Sequence, residues 1–278
     1  MKISAEKWQA YGNDYIVVAG DLEQPVHLSS LAVAICDRHQ GAGADGIVAY
    51  DRVSASVHCR IFNPDGSEAE MSGNGLRCLA GFLKERLPAE KVFLLNTTVG
   101  VRTLTFLREE EPSLWFRADM GQPDFNPAAL PAEVEGETAL RYPVHVGGGK
   151  IEVNLVSLGN PHCVVILPDL FPEEWPLLGP KLESHQIFPR RTNVEFVKVL
   201  NSHSIEVRIW ERGVGKTFSS GTGSSASAAV AIRLDLAKSP VRVYTERGEL
   251  TVEWEPGQSI FLEGPTIKVW SGEFYWQT

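Results

Sequence analysis

Residues 60–75 read RIFNPDGSEAEMSGNG, and residues 208–223 read RIWERGVGKTFSSGTG. Both open on Arg-Ile-aromatic, pass through a polar turn and close on Ser-Gly-x-Gly, and their starts lie 208 − 60 = 148 residues apart. A further anchor agrees: Gly12-Asn13 in YGNDYIVV and Gly159-Asn160 in LGNPHCVVI are 159 − 12 = 147 residues apart. Short motifs sharing one long offset signal an internal repeat, so two halves of like topology are expected. In each half a strand ends at Asn63 or Glu211, and a helix starts just after Ser72 or Ser220.

The segments around these anchors read as an α+β protein. SVHCRIF, IEVNLVSL, SIEVRIW and LTVEWE alternate as half-buried strands do. GLRCLAGFLKERL and GSSASAAVAIRLDLA follow glycine-rich turns and carry apolar residues at helical spacing. EEEPSLW reads as a hairpin or surface turn, while LPAEVEGET and FPEEWPLLGP read as proline-punctuated connections. The pattern predicts antiparallel sheets rather than regular βαβ alternation.

With 278 residues, 43% of them hydrophobic, the chain has enough apolar material for one large domain or two ordinary ones. A net charge of −9 and a pI near 5.3 argue against nucleic acid and anionic membranes as partners. No apolar run reaches the roughly 20 residues needed to span a bilayer, and MKISAEKWQAYGND lacks the pattern of a signal peptide. A cytoplasmic location is expected. Cys36, Cys59, Cys78 and Cys163 show no C-x-x-C spacing, so neither a zinc site nor a disulfide framework is indicated.

The two Ser-Gly-x-Gly turns carry the chemistry. The first turn of a helix has N–H donors without internal partners and the positive end of the helix dipole, which together suit an anion. If the halves face each other, two helix starts hold one carboxylate and present a side chain on either face of the adjacent carbon. That is the geometry of a racemase or epimerase. Plainer readings stand beside it. GTGSSA fits the dinucleotide pattern G-x-G-x-x-A, but TFSS before it makes a poor buried strand and no βαβ unit surrounds it. GAGADG at 41–46 reads equally as a tight turn. His162 in its apolar stretch reads as a structural histidine, Glu211-Arg212 as a solvated pair, and the glycines as helix-packing positions. The repeat favours the site for His162, through its neighbour Asn160, and for Glu211, through its counterpart Asn63.

The landmarks GNDYIVV, RHQGAGADG, FNPDGSEAEMSGNGLRC, GNPHCVV, RTNVEF and ERGVGKTFSSGTG, in this order from Gly12 to Gly223, resemble those of the diaminopimelate epimerase family. The resemblance implies two pseudo-symmetric domains, each a mostly antiparallel sheet wrapped around a central helix. Residues 1–119 would form the first, with strand 266–278 returning to it, and residues 120–265 the second. It implies interconversion of LL- and meso-diaminopimelate by proton transfer at the α-carbon, with no pyridoxal phosphate, metal or nucleotide, in a homodimer. Asn13, Asn63, Asn160, Asn193 and Arg212 would grip the distal end of the substrate, with Glu211 accepting from its ammonium group. The N–H groups of Gly73-Asn74 and Gly221-Thr222 would hold the reacting carboxylate. His162 and Glu211 would tune the catalytic pair.

That pair is where the sequence departs from the resemblance. The family carries cysteine in M-C-G-N-G and A-C-G-T-G, where this chain has Ser72 and Ser220. A thiol with an ordinary pKa of about 8.5 ionises near neutrality, whereas a serine hydroxyl needs a neighbouring base. Three accounts follow from the sequence. The serines are replacements that trap substrate, or they are native and work with His162, Glu211 or a water, or the protein binds without turnover. A racemase or isomerase for another amino acid is the remaining alternative.

Overall fold

The computed structural model describes residues 2–20, 25–53, 56–136, 138–168 and 175–276. The chain divides into two compact units, residues 1–119 with 263–278, and residues 120–262. In chain order the first contains β1 (Lys2–Ala10), β2 (Asn13–Ala19), α1 (Pro25–Cys36), β3 (Gly46–Val53), β4 (Ser56–Phe62), β5 (Glu68–Ala69), α2 (Gly73–Arg86), β6 (Val92–Thr97), β7 (Gly100–Glu110) and β8 (Ser113–Asp119). The second contains β9 (Tyr142–Val146), β10 (Gly149–Ser157), β11 (Pro161–Leu167), α3 (Trp175–Glu183), β12 (Asn193–Asn201), β13 (Ser204–Glu211), β14 (Gly215–Thr217), α4 (Gly221–Arg233), β15 (Val241–Tyr244) and β16 (Glu249–Glu253). The last strand, β17 (Phe261–Tyr275), lies antiparallel on β1, from Lys2 opposite Tyr275 to Gln9 opposite Ile267.

The repeat read in the sequence is a repeat of topology. β2 and β3 are parallel with α1 between them, and β4 and β6 are parallel with α2 between them. The second unit does the same with β11, α3 and β12, then with β13, α4 and β15. Register repeats as well, since Tyr15 stands opposite Gly46 and His162 opposite Asn193, an offset of 162 − 15 = 193 − 46 = 147. Sheets are mostly antiparallel, as expected, but these four parallel pairs are not. A parallel pair needs a long crossover, and the helices supply it.

Each unit wraps its sheet around one helix. From Gly73 to Leu83 every residue of α2 is buried, and from Gly221 to Ala231 every residue of α4. A helix buried all round is favoured by apolar side chains, and polar ones on it cost free energy unless they find partners. In α4 the Ser225 hydroxyl donates to Gly221 O at 2.9 Å and Ser227 to Gly223 O at 2.7 Å, which removes the cost of burying them. In α2 a Cβ at Gly81 would meet the Trp8 ring at 2.7 Å, so only glycine lets the helix lie against that indole.

Two readings of the sequence need correction, and one helix carried no signal to read. FPEEWPLLGP is not all connection: residues 171–174 lie outside the described residues, but α3 begins at Trp175 and holds Gly179 and Pro180 in its interior. Gly179 is needed because a Cβ there would come within 2.7 Å of the Trp210 ring. Helix α4 stops at Arg233 rather than running to Ala237, and Asp235 takes φ 57 just beyond it. Helix α1, PVHLSSLAVAIC, carries apolar residues on most sides and has no amphipathic stripe to read.

Candidate active site

Ser72 and Ser220 are the N-caps of α2 and α4. Their backbones match, with φ −143 and ψ 114 at Ser72 and φ −138 and ψ 130 at Ser220, the extended geometry an N-cap requires. Ser72 Oγ accepts from Gly75 N–H at 3.1 Å and Ser220 Oγ from Gly223 N–H at 3.3 Å. The first backbone ladder bonds run from Leu76 N to Ser72 O and from Ser224 N to Ser220 O, both 3.0 Å. The N–H groups of Gly73, Asn74, Gly221 and Thr222 precede those bonds, at the positive end of each helix.

Around Ser72 the first unit assembles a polar cluster. Tyr15 OH lies 2.8 Å from Ser72 Oγ. Asn74 Nδ2 donates to Asn13 Oδ1 at 2.9 Å, and Asn13 Nδ2 donates to Asp45 Oδ2 at 2.9 Å. Asp45 sits in the GAGADG loop, which wraps the end of α1 through Ala42 and Gly43 N–H to Ile35 O. Burial and the charge of Asp14 push the Asp45 carboxyl up, whereas Asp14, though also buried, is held low by Lys7 and Arg38. Arg77, fully buried one turn into α2, donates through Nη2 to Asn74 Oδ1, while its Nε and Nη1 have no partner among the described residues. Burial pulls its pKa down to about 10. Asn63 stands apart from this cluster, in the turn after β4, donating to Ser67 Oγ at 3.0 Å.

Around Ser220 a hydrogen-bonded series runs inward. Ser220 Oγ is 3.4 Å from Thr222 Oγ1, Asn160 Nδ2 donates to Thr222 Oγ1 at 3.5 Å, and Asn160 Oδ1 is 3.0 Å from His162 Nε2. His162 Nδ1 lies 2.7 Å from Glu195 Oε1, and both side chains are fully buried. Burial pushes the Glu195 carboxyl up against the opposing pull of the imidazole, and its Oε2 has no hydrogen-bond partner among the described residues. Asn193 uses its amide on the backbone, donating to Pro161 O at 2.9 Å and accepting from Arg212 N–H at 3.0 Å. It thereby fixes the turn carrying Glu211 and Arg212, both half-buried. Glu183 of α3 holds the same turn, accepting from Trp210 Nε1 and Gly213 N–H, each at 2.8 Å.

No thiol stands in for the serines. All four cysteines are buried, and burial pushes Cys36, Cys59 and Cys78 up to about 12 and Cys163 well above the ordinary thiol value. Among the residues of these clusters that escaped the sequence reading are Tyr15, Glu195, Arg77 and Glu183. Only Tyr15 had a usable signal, because the 147-residue offset makes it the counterpart of His162.

A profile of the family described as diaminopimelate epimerase matches residues 7–126 and 154–269, the first stretch mostly in the first unit and the second mostly in the second. Diaminopimelate epimerase of Pelotomaculum thermopropionicum is 41% identical over 277 residues, covering 98% of this chain and 99% of the relative. That of Halothermothrix orenii is 36% identical over 279 residues, with 98% of each chain covered. Among solved structures, a hydroxyproline epimerase from Agrobacterium vitis, with trans-4-hydroxy-L-proline bound, superposes with a TM-score of 0.71 at 15% identity, covering 98% of this chain and 92% of that one. At that identity the likeness concerns the fold alone. Sequence identity over nearly the whole length is the stronger finding, and by it the chain belongs to the diaminopimelate epimerase family.

Proposed function

We propose that this protein is a cofactor-independent isomerase that inverts the α-carbon of diaminopimelate between its LL and meso forms, with Ser72 and Ser220 as the groups on the two faces of that carbon. The observation that carries this reading is the matched pair of serine N-caps, alike in dihedrals and in place within two like topologies. A carboxylate held by the N–H groups of Gly73-Asn74 and Gly221-Thr222 would be stabilised most when the α-proton leaves and charge spreads onto it. Asn13, Asn63, Asn160, Asn193 and Arg212 would recognise the distal amino acid end, with Glu211 accepting from its ammonium group. Amides serve a zwitterion because they both donate and accept. His162, braced by Glu195, would hold or release the proton that Ser220 exchanges. The reading includes action in the cytoplasm, as a homodimer, without pyridoxal phosphate, metal or nucleotide.

A second reading, an amino acid binder without turnover, draws on the burial and raised pKa of every cysteine, which leaves two alkanols at the reacting positions. Deuterium uptake from solvent into LL-diaminopimelate separates the two. Uptake together with inversion, read by chiral chromatography, is expected of the epimerase; binding without uptake would establish the binder. The double change Ser72→Cys and Ser220→Cys should raise inversion, because a thiolate at a helix N-terminus is a far better base than a hydroxyl. Either change alone should give much less, since inversion needs a competent group on each face. Calorimetry should rank diaminopimelate well above alanine and proline, and equal binding of the three would point to another amino acid.

A further inference from the structure

Two positions recur beneath each helix start, the N-cap serine and the residue at Val48 or Glu195. A Cβ placed at Gly75 would lie 3.3 Å from Val48, 3.4 Å from Ser72 Cβ and 3.4 Å from Tyr15 Cε1. One placed at Gly223 would lie 2.9 Å from Glu195 Oε1 and 3.3 Å from Ser220 Cβ. Glu195 is the counterpart of Val48 and His162 that of Tyr15, each at an offset of 147. In the second unit this place holds an imidazole and its carboxylate. In the first it holds a phenol, in direct contact with the serine at 2.8 Å. Its ring is wedged where neither neighbour has a side chain, with a Cβ at Gly46 meeting Cε1 at 2.9 Å. Tyr15 is therefore aimed at Ser72 by packing as well as by the hydrogen bond.

We propose that Tyr15 is the proton partner of Ser72, a positioning residue that lets a serine work where a thiol would not need help. This rests on the epimerase reading above. In the abstracting direction the α C–H bond breaks and its proton passes to Ser72 Oγ, while the Ser72 O–H bond breaks and that proton forms an O–H bond on the Tyr15 phenolate. The electron pair left on carbon spreads onto the bound carboxylate. In the donating direction the neutral phenol returns a proton to Ser72 as Ser72 protonates the carbon. A phenol, with an ordinary pKa of about 10, is a far stronger acid than an alkanol. The positive end of α2 favours an anion in this place.

The test is deuterium exchange from LL- and meso-diaminopimelate, assayed separately, for the protein as it stands and for Tyr15→Phe, each in Ser72 and Ser72→Cys backgrounds. With Ser72, Tyr15→Phe is expected to lower kcat for exchange from one of the two diastereomers by roughly 100-fold, with KM changed less than about threefold. With Ser72→Cys the same change is expected to cost less than about threefold, because the thiol ionises unaided. An active parent with an equally active Tyr15→Phe overturns the inference and leaves the epimerase reading standing. Equal losses in both backgrounds make Tyr15 merely structural and also overturn it. A parent that exchanges neither diastereomer overturns the epimerase reading itself, and the proton role with it. Should Tyr15→Phe not fold, Tyr15→His decides: exchange within about tenfold of the parent supports a proton partner at this place, and a folded protein as inert as Ser72→Ala overturns it.

Discussion

Glu195 and Glu6 are both buried carboxyls, yet their surroundings push them in opposite directions. Among the described residues the only hydrogen-bond partner of the Glu195 carboxyl is an imidazole, so burial dominates and its pKa rises above 4.5. The folded state then binds a proton that the unfolded chain has begun to release. The stability this group contributes is therefore full below about pH 4.5 and declines as pH rises through the raised value. Glu195→Gln keeps an oxygen for His162 but cannot titrate. Its melting temperature relative to the parent should improve from pH 4 to pH 7, and turnover should fall by about 10- to 100-fold as the imidazole loses its carboxylate. Turnover equal to the parent would remove Glu195 from the mechanism. At this scale the sequence revealed what motifs reveal: Ser72, Ser220, Asn13, Asn160 and His162 stand in recognisable motifs. Glu195 was hidden because NVEFV reads as an alternating strand whose charged residue faces water. Only the register of β12 under α4 shows it buried. Tyr15 was hidden for a related reason, since an aromatic in YIVV reads as core.

Among the elements, the tie between α2 and the β1–β17 pair repeats this argument with the opposite sign. Glu6 of β1 accepts from Arg86 at 2.6 Å and from Trp8 Nε1 at 3.1 Å, and lies 3.3 Å from Lys268 of β17. Burial raises its carboxyl, but these bonds and charges outweigh burial and hold it below 4.5. Its contribution is therefore present above the ordinary carboxylate value and is lost as pH falls through the lowered one. Glu6→Gln should cost about 1–2 kcal/mol at pH 7, kept modest by the solvent reaching Arg86 and Lys268, with the deficit closing towards pH 3. A deficit independent of pH would mean that packing against Trp8, not charge, is what the glutamate supplies. Elements with a regular pattern were legible from sequence, such as SVHCRIF for β4, which runs Ser56–Phe62. Helices α1 and α3 were not, the first because it has no polar face and the second because Gly179 and Pro180 imitate a break. Missing those two crossovers is also what concealed the β2–β3 and β11–β12 parallel pairs.

For the whole molecule, the chain order makes the two units unequal in a way their shared topology does not suggest. The second is one continuous segment, residues 120–262, while the first is assembled from residues 1–119 and 263–278. The repeat of 148 residues made two halves legible, but the equal motifs could not show which half borrows its last strand, because that depends on where the strand pairs. It pairs with β1, along nearly the whole length of that strand. A segment of residues 120–262 retains its central helix, both crossovers and its own apolar core around Val153, Cys163 and Phe196. It is large enough to fold alone. Residues 1–119 alone would expose one edge of β1 and the α2 face beside Thr266, which a Cβ at Gly81 would already touch at 2.7 Å. The expected outcome is that 120–262 unfolds cooperatively on heating, whereas 1–119 is soluble only poorly and melts without a sharp transition. The chain leaves and re-enters the second unit side by side, with Met120 N–H on Ile260 O at 2.9 Å and Ile260 N–H on Gly121 O at 2.8 Å. Joining residue 119 to residue 263 through a short glycine-serine loop should therefore restore a cooperative first unit, because closing so short a gap costs little entropy. Circular dichroism melts of the three proteins decide it. A cooperative 1–119 without the returning strand would show that β17 serves the joining of the units rather than the folding of the first.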